Sequence, residues 1–176
     1  MHDLFSSPPP IPPPAIQHPE YLVHYRWMSR AIALAQAAGE AGEVPVGAVI
    51  VDAGGEMIAE GENRRERDHD PCAHAEILAL RGAGRVLETW HLNQCTLYVT
   101  LEPCPMCAGA IVLARLGQLV YGTDDLKTGA IRTVINILDA PCSNHSLPVL
   151  GGILESTCRQ QLQSWFMQHR HMQHRQ

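Results

Sequence analysis

The rhythm of hydrophobic and polar positions changes several times after residue 20, and each change marks an element. Leu22, Tyr25, Met28, Ile32 and Ala35 recur at three- and four-residue steps, which predicts a helix stopped at Gly39. Val46 to Val51 is a short run rich in β-branched residues. Ala53-Gly54-Gly55 reads as a turn into a second strand near Met57 to Glu60, completing a hairpin. A charged loop follows over Asn63 to Pro71, then an Ala- and Leu-rich helix over 73–81. Thr96 to Leu101 reads as a buried strand, Pro105 to Leu116 as a helix opening on proline, and Gln118 to Gly122 as another strand. A last amphipathic helix near Ser156 to Arg170 would carry Cys158, Leu162, Trp165 and Phe166 on one face. This order, with at least two βα crossovers, predicts an α/β sheet covered by helices on both faces.

Composition sets the boundaries. Seven of the 13 prolines fall within the first 20 residues, so residues 1–19 are expected to be a disordered, polyproline-like arm. Such an arm could dock on an SH3-type groove or be a tolerated tail. Residues 20–170 are then one domain, large enough for its own core, and residues 171–176 a flexible tail. The longest clean apolar stretch, Cys107 to Ala114, is far too short to span a bilayer, so no membrane association is expected. Residues 1–20 contain no Lys or Arg and lack the basic region of a secretory signal. With six cysteines in a chain this size, reduced thiols or metal ligation and a cytoplasmic location are expected. The net charge of -5 excludes a bulk polyanion binder. Its distribution is uneven, however. Residues 1–114 hold 7 basic and 14 acidic groups and residues 115–176 hold 6 and 4, so a local cationic surface near the C-terminus remains open.

Two segments carry chemistry, His74-Ala75-Glu76 and Pro103-Cys104-Pro105-Met106-Cys107, each where a loop or strand gives way to a predicted helix. A helix N-terminus favours negative charge, which lowers a thiol's pKa and prepares it to bind metal. Cys104 and Cys107 can reach one ion together, and with His74 they offer the Cys2His set of a catalytic zinc with a fourth position open to water. Glu76, two residues after the histidine, is placed to take the water's proton. Three other readings stand beside this one: a thioredoxin-type dithiol at Cys104 and Cys107, a structural zinc closed by Cys72, and an ordinary acidic helix start at His74 and Glu76. Each explains part of the pattern, but none explains both segments.

Together the segments match a signature already described for zinc nucleobase deaminases, H-x-E…P-C-x-x-C. The likeness extends to Glu43-Val44-Pro45-Val46-Gly47-Ala48-Val49, Asn63, Asp70-Pro71, Asp125-Leu126-Lys127-Thr128-Gly129 and Asn144-His145 before Gly152-Ile153-Leu154. Over roughly residues 22–170 the chain resembles the bacterial tRNA-specific adenosine deaminases of the cytidine deaminase superfamily. The resemblance implies a three-layer α/β/α sandwich with a central mixed five-stranded sheet. It implies hydrolytic deamination of the wobble adenosine in a tRNA anticodon stem-loop to inosine, by a homodimer with one Zn2+ per subunit and no nucleotide cofactor. By the same resemblance His74, Cys104 and Cys107 hold the zinc, zinc-bound hydroxide is the nucleophile and Glu76 is the proton shuttle. Asn63 would hydrogen-bond the flipped adenine, Val44 would line its pocket, and Asp125 and Lys127 would touch sugar and phosphate. The alternatives are a free-base deaminase for guanine or cytosine and, in a different class, a Cys-x-x-Cys redox protein. Trp165 and Phe166 could be core or could stack on loop bases.

Overall fold

The computed structural model describes residues 19–173, and for 170–173 the backbone alone. The expected disordered arm lies outside the described residues except for Pro19, as do residues 174–176 of the expected tail. In chain order the elements are α1 (Pro19–Glu40), β1 (Gly47–Val51), β2 (Met57–Glu62), α2 (Arg65–Asp68), α3 (Ala75–Val86), β3 (Thr96–Leu101), α4 (Pro105–Leu113), β4 (Gln118–Thr123), β5 (Val149–Gly151) and α5 (Glu155–Gln173). No helix among the described residues is long and apolar enough to cross a membrane.

The five strands form one mixed sheet in the order β2-β1-β3-β4-β5. β1 runs antiparallel to both β2 and β3, whereas β3, β4 and β5 are parallel. β1 is an unbroken apolar run because both of its faces are covered. Ala48, Ile50, Leu97, Val99, Leu119 and Tyr121 face α3 and α4, packing with Ala79, Ala108 and Ile111. The alternate residues Val49, Val51, Tyr98 and Val120 face α1 and the start of α5, meeting Trp27, Met28, Ala31 and Cys158. The result is the expected three-layer sandwich.

Boundaries differ from the sequence expectation where the backbone, not hydrophobicity, decides. α1 continues past Gly39 and stops at Gly42, whose φ of +88° suits a residue without Cβ. The Gly42 amide donates to Gly39 O and the Glu43 amide to Ala38 O, a Schellman closure. α4 ends before Leu116 because Arg115 turns left-handed, and α3 runs five residues beyond 81. The expected charged loop contains the short helix α2, β5 is an additional edge strand, and α5 extends to Gln173. On α5, Cys158 and Leu162 are buried as expected, but Phe166 is exposed.

Candidate active site

The site forms where α3 and α4 begin. His74 is the N-cap of α3 and Cys104 the N-cap of α4, both with extended backbone, and neither side chain caps its own helix. They turn toward each other instead. Pro105 opens α4 with φ preset for the first turn, which brings Cys107 round to the same side. Across the sheet, Gly61 of β2 lets α3 approach so closely that a Cβ there would overlap the Ala75 carbonyl oxygen, fixing the height of His74 and Glu76.

His74 Nδ1 lies 3.7 Å from Cys104 Sγ and 3.5 Å from Cys107 Sγ, and all three donor atoms fall within 4.8 Å of one another. Tetrahedral zinc with Zn–S near 2.3 Å and Zn–N near 2.0–2.1 Å separates its donors by about 3.5–3.8 Å, so the spacing fits such an ion. Cys72 is exposed and outside this group, so the structure gives no support to a site closed by Cys72. Nor is the Cys104–Cys107 pair an isolated dithiol, since an imidazole nitrogen faces both sulfurs.

The electrostatics favour anionic ligands here. The Cys107 thiol, then His74, stabilises the Cys104 thiolate and draws its pKa down to about 4. Cys107 is pushed up by Cys104 and by burial, so in the metal-free protein the two sulfurs share one proton. His74 is raised by its bond to Cys104. Glu76, only 4% exposed, has its carboxyl pushed up to about 7 by burial.

Val44, Asn63, His74, Glu76, Cys104 and Asp125 line one cavity of about 120 Å³. Asn63 is 6% exposed; its Nδ2 donates to Val44 O at 3.2 Å, while its Oδ1 is buried without a partner. A buried orphan acceptor is costly unless a ligand satisfies it. Asp125 closes its own turn, its carboxylate accepting from the Lys127 amide at 2.9 Å and from Thr128 Oγ1 at 2.6 Å. The Lys127 side chain is not in this cavity. It borders a separate depression with Gln163, Phe166 and Met167 of α5. Trp165 is half-buried, donating through Nε1 to Gly39 O at 3.3 Å and stacking on His169. Trp165 therefore packs on α1, and only Phe166 faces outward.

Sequence reasoning missed two residues that shape the cavity. Arg65 lines it from α2. Glu102, 1% exposed, accepts from the amides of Asp125 (3.1 Å), Ile131 (3.1 Å), Arg132 (2.8 Å) and Thr133 (3.0 Å), and from the Thr133 hydroxyl. Burial alone would raise its carboxyl, but these bonds outweigh it and hold the pKa below the ordinary value. The available signal was an acid directly after the apolar run of β3 and two residues before Cys104. Glu43 plays a parallel part, accepting from the Glu66 and Arg67 amides at 3.1 and 2.8 Å and so capping α2.

The chain is similar to known proteins in both sequence and fold. The sequence matches the MafB19-like deaminase family over residues 22–167. The tRNA-specific adenosine deaminase of Bacillus subtilis (strain 168) is 47% identical over 140 residues, covering 80% of this chain and 86% of that protein. A solved structure from a study of A-to-I editing by tRNA:A34 deaminases at the wobble position of transfer RNA superposes with a TM-score of 0.75 at 41% identity, covering 77% of this chain and 98% of that one. A guanine deaminase structure from Bacillus subtilis gives a TM-score of 0.54 at 35% identity, over 68% and 87% of the two chains. Because the family match spans the whole sandwich, and the adenosine deaminase aligns over most of its own length, the chain belongs to the MafB19-like deaminases, grouped with the tRNA-specific adenosine deaminases.

Proposed function

We propose that this chain converts the wobble adenosine of a tRNA anticodon loop to inosine, with one zinc per subunit held by His74, Cys104 and Cys107. The observation that carries this reading is the convergence of Glu76 and the unpaired Asn63 Oδ1 on the cavity lined by His74 and Cys104, with Cys107 buried behind them in the same donor cluster. When bound, the metal supplies a Lewis acid that acidifies a water molecule. Glu76 takes one water proton on a carboxylate oxygen and passes it to a ring nitrogen of adenine, where it stays, and then carries the second proton of the same oxygen to the leaving amino group. Adenosine and water thus give inosine and ammonia. Burial raises the Glu76 carboxyl above its ordinary value, which helps it give the proton back as well as take it. Asn63 is fixed by its bond to Val44 O, so Oδ1 is presented as an acceptor to an N–H edge of the base. Val44 borders the ring and Asp125 the sugar, while Lys127 meets phosphate outside the cavity, beside α5.

Deamination of an anticodon stem-loop with adenosine at the wobble position tests this, run beside free guanine, cytosine and adenosine, with Glu76→Ala as control. Inosine formed only in the stem-loop, and lost in the variant, supports the reading. Turnover of a free base but not the RNA would overturn the substrate and leave the acid–base chemistry standing.

The homodimer contact is assigned to the outer face of α3 and α4. There Leu113 (71% exposed) and Trp90 (61%) border an apolar groove of about 630 Å³ that Leu80, Ala110 and Ala114 also line. Large apolar side chains left in solvent around such a groove are what a second subunit would cover. Leu113→Glu should convert a dimer to a monomer in sedimentation, and an unchanged dimer would move the interface elsewhere.

A further inference from the structure

We infer that Arg65 is a phosphate-reading residue, engaging the sugar–phosphate backbone next to the nucleotide in the cavity. This deepens the proposed function and rests on it. Three arginines sit at positions 64, 65 and 67, and two of them are already committed. Arg64 pairs with Asp68 at 3.0 Å and Arg67 with Glu62 at 2.8 Å, while Arg67 also lies 3.5 Å from the buried Glu43. The Arg65 guanidinium has no ion pair or hydrogen bond among the described residues, and it is the one of the three that lines the cavity.

Its surroundings sharpen the point. The carboxylates lining that cavity are Glu76, Glu102 and Asp125, beside His74 and Cys104 of the donor cluster. Each carboxylate there already has work within the protein: Asp125 closes its turn, Glu102 holds a loop, and Glu76 is buried. Arg65 pairs with none of them, so its charge is available to a ligand. A free nucleobase carries no anion to meet it. A nucleotide within an RNA strand brings phosphates on both sides, and a planar guanidinium binds phosphate through two parallel bonds.

The backbone beneath Arg65 is also fixed in advance. Glu43 accepts from the next two amides, and the Arg65 carbonyl accepts from the Asp70 amide at 3.2 Å, where the chain turns through left-handed His69. Only side-chain freedom remains to be lost on binding, which lowers its entropic cost.

The test measures affinity for the anticodon stem-loop against salt concentration, in the zinc-loaded protein made inactive by Glu76→Gln. Arg65→Ala should weaken binding roughly tenfold at low salt. It should also reduce the slope of log Kd against log salt by about 0.7–0.9, the contribution of one phosphate contact. Arg65→Lys should restore the slope but only part of the affinity. Arg64→Ala, which removes an equal but ion-paired charge, should leave the slope unchanged. Equal slopes for wild type and Arg65→Ala would overturn the inference, as would equal losses for Arg64→Ala and Arg65→Ala. Weaker binding with an unchanged slope would also overturn it, pointing to stacking on a base. If the Glu76-intact protein leaves the stem-loop unedited but turns over a free base, the proposed function fails and this inference with it. If the stem-loop is edited and the Arg65 slope does not move, the inference alone fails.

Discussion

Replacing Glu102 with glutamine tests whether one buried carboxylate holds the wall of the site. Glu102 Oε1 accepts the amides of Ile131, Arg132 and Thr133, and Oε2 accepts the Asp125 amide and the Thr133 hydroxyl. A glutamine can keep its oxygen at only one of these positions. Placed toward Ile131–Thr133, it turns an NH2 group on the Asp125 amide and leaves that donor buried and unpaired, at about 1–3 kcal/mol. The three retained bonds also weaken from charge-assisted to neutral, and the relief of burying no charge offsets part of that. A net loss of about 2–4 kcal/mol follows, which for a chain of this length lowers Tm by roughly 5–15 °C. Because Glu102 touches no metal donor, zinc content by elemental analysis should be unchanged. Asp125 and Thr128 stand on the released loop, so kcat/KM for the stem-loop should drop by at least about tenfold. The effect has a definite pH dependence. The folded pKa of Glu102 lies below its unfolded value, so its contribution is complete above the ordinary carboxylate range and is lost as pH falls through the lowered value. The stability gap between wild type and Glu102→Gln should therefore close in acid. A variant with wild-type Tm and wild-type activity at neutral pH would refute this role.

Three further outcomes are expected. In the metal-free protein Cys104 and Cys107 share a proton, and both His74 and Glu76 are raised above their ordinary values. Zinc binding should then release about one proton or more, measurable by calorimetry in buffers of different ionisation enthalpy; release near zero would contradict the shared-proton pair. Asn63→Ala removes the orphan acceptor and the bond to Val44 O, so kcat/KM should fall about 10–100-fold with zinc retained. Wild-type kinetics in that variant would remove Asn63 from base recognition. Gly42→Ala forces a Cβ into φ +88° and should cost about 1–2 kcal/mol in thermal unfolding, whereas Gly39→Ala tests a different effect, crowding against Trp165 and Pro45 at 3.3 Å.

What could be read from the sequence follows a physical division. β1 and β3 were visible because burial on both faces leaves an unbroken apolar run, and α4 because proline and two cysteines mark its first turn. The last turns of α3 were hidden by Gly82 and Gly84, poor helix formers; Gly82 lies close to β2, where a Cβ would stand 3.0 Å from that of Ala59. Between Pro148 and Gly152, β5 has only three residues and pairs on one side, too little for a period of two to show. Gly39 looked like a helix stop but serves as a gap for Trp165, and Gly42 carries the positive φ; sequence position alone does not separate those two uses of glycine. The grouping of His74, Cys104 and Cys107 was readable because these residues belong to two short local motifs. The side chain of Lys127 borders α5, some forty residues away, a placement that no local motif signals.

Glu43 and Glu102 were the least readable of all, because an acidic residue in sequence suggests a solvated surface. Each is almost fully buried, and each accepts mainly from backbone amides of a neighbouring loop. Glu43 fixes the segment that presents Asn63 and Arg65, and Glu102 fixes the one that presents Asp125 and Thr128. The metal donors need no such support, because they are the caps of helices already packed on the sheet. Loops lack that backing and would otherwise lose order at every binding event. A carboxylate accepting several amides supplies the rigidity at one residue, provided its charge stays buried and fully bonded. The interior of the site consequently carries more acid than base, so attraction for a polyanion must come from its rim. On the proposed function, the uncommitted Arg65 and the outlying Lys127, rather than total charge, would supply that attraction.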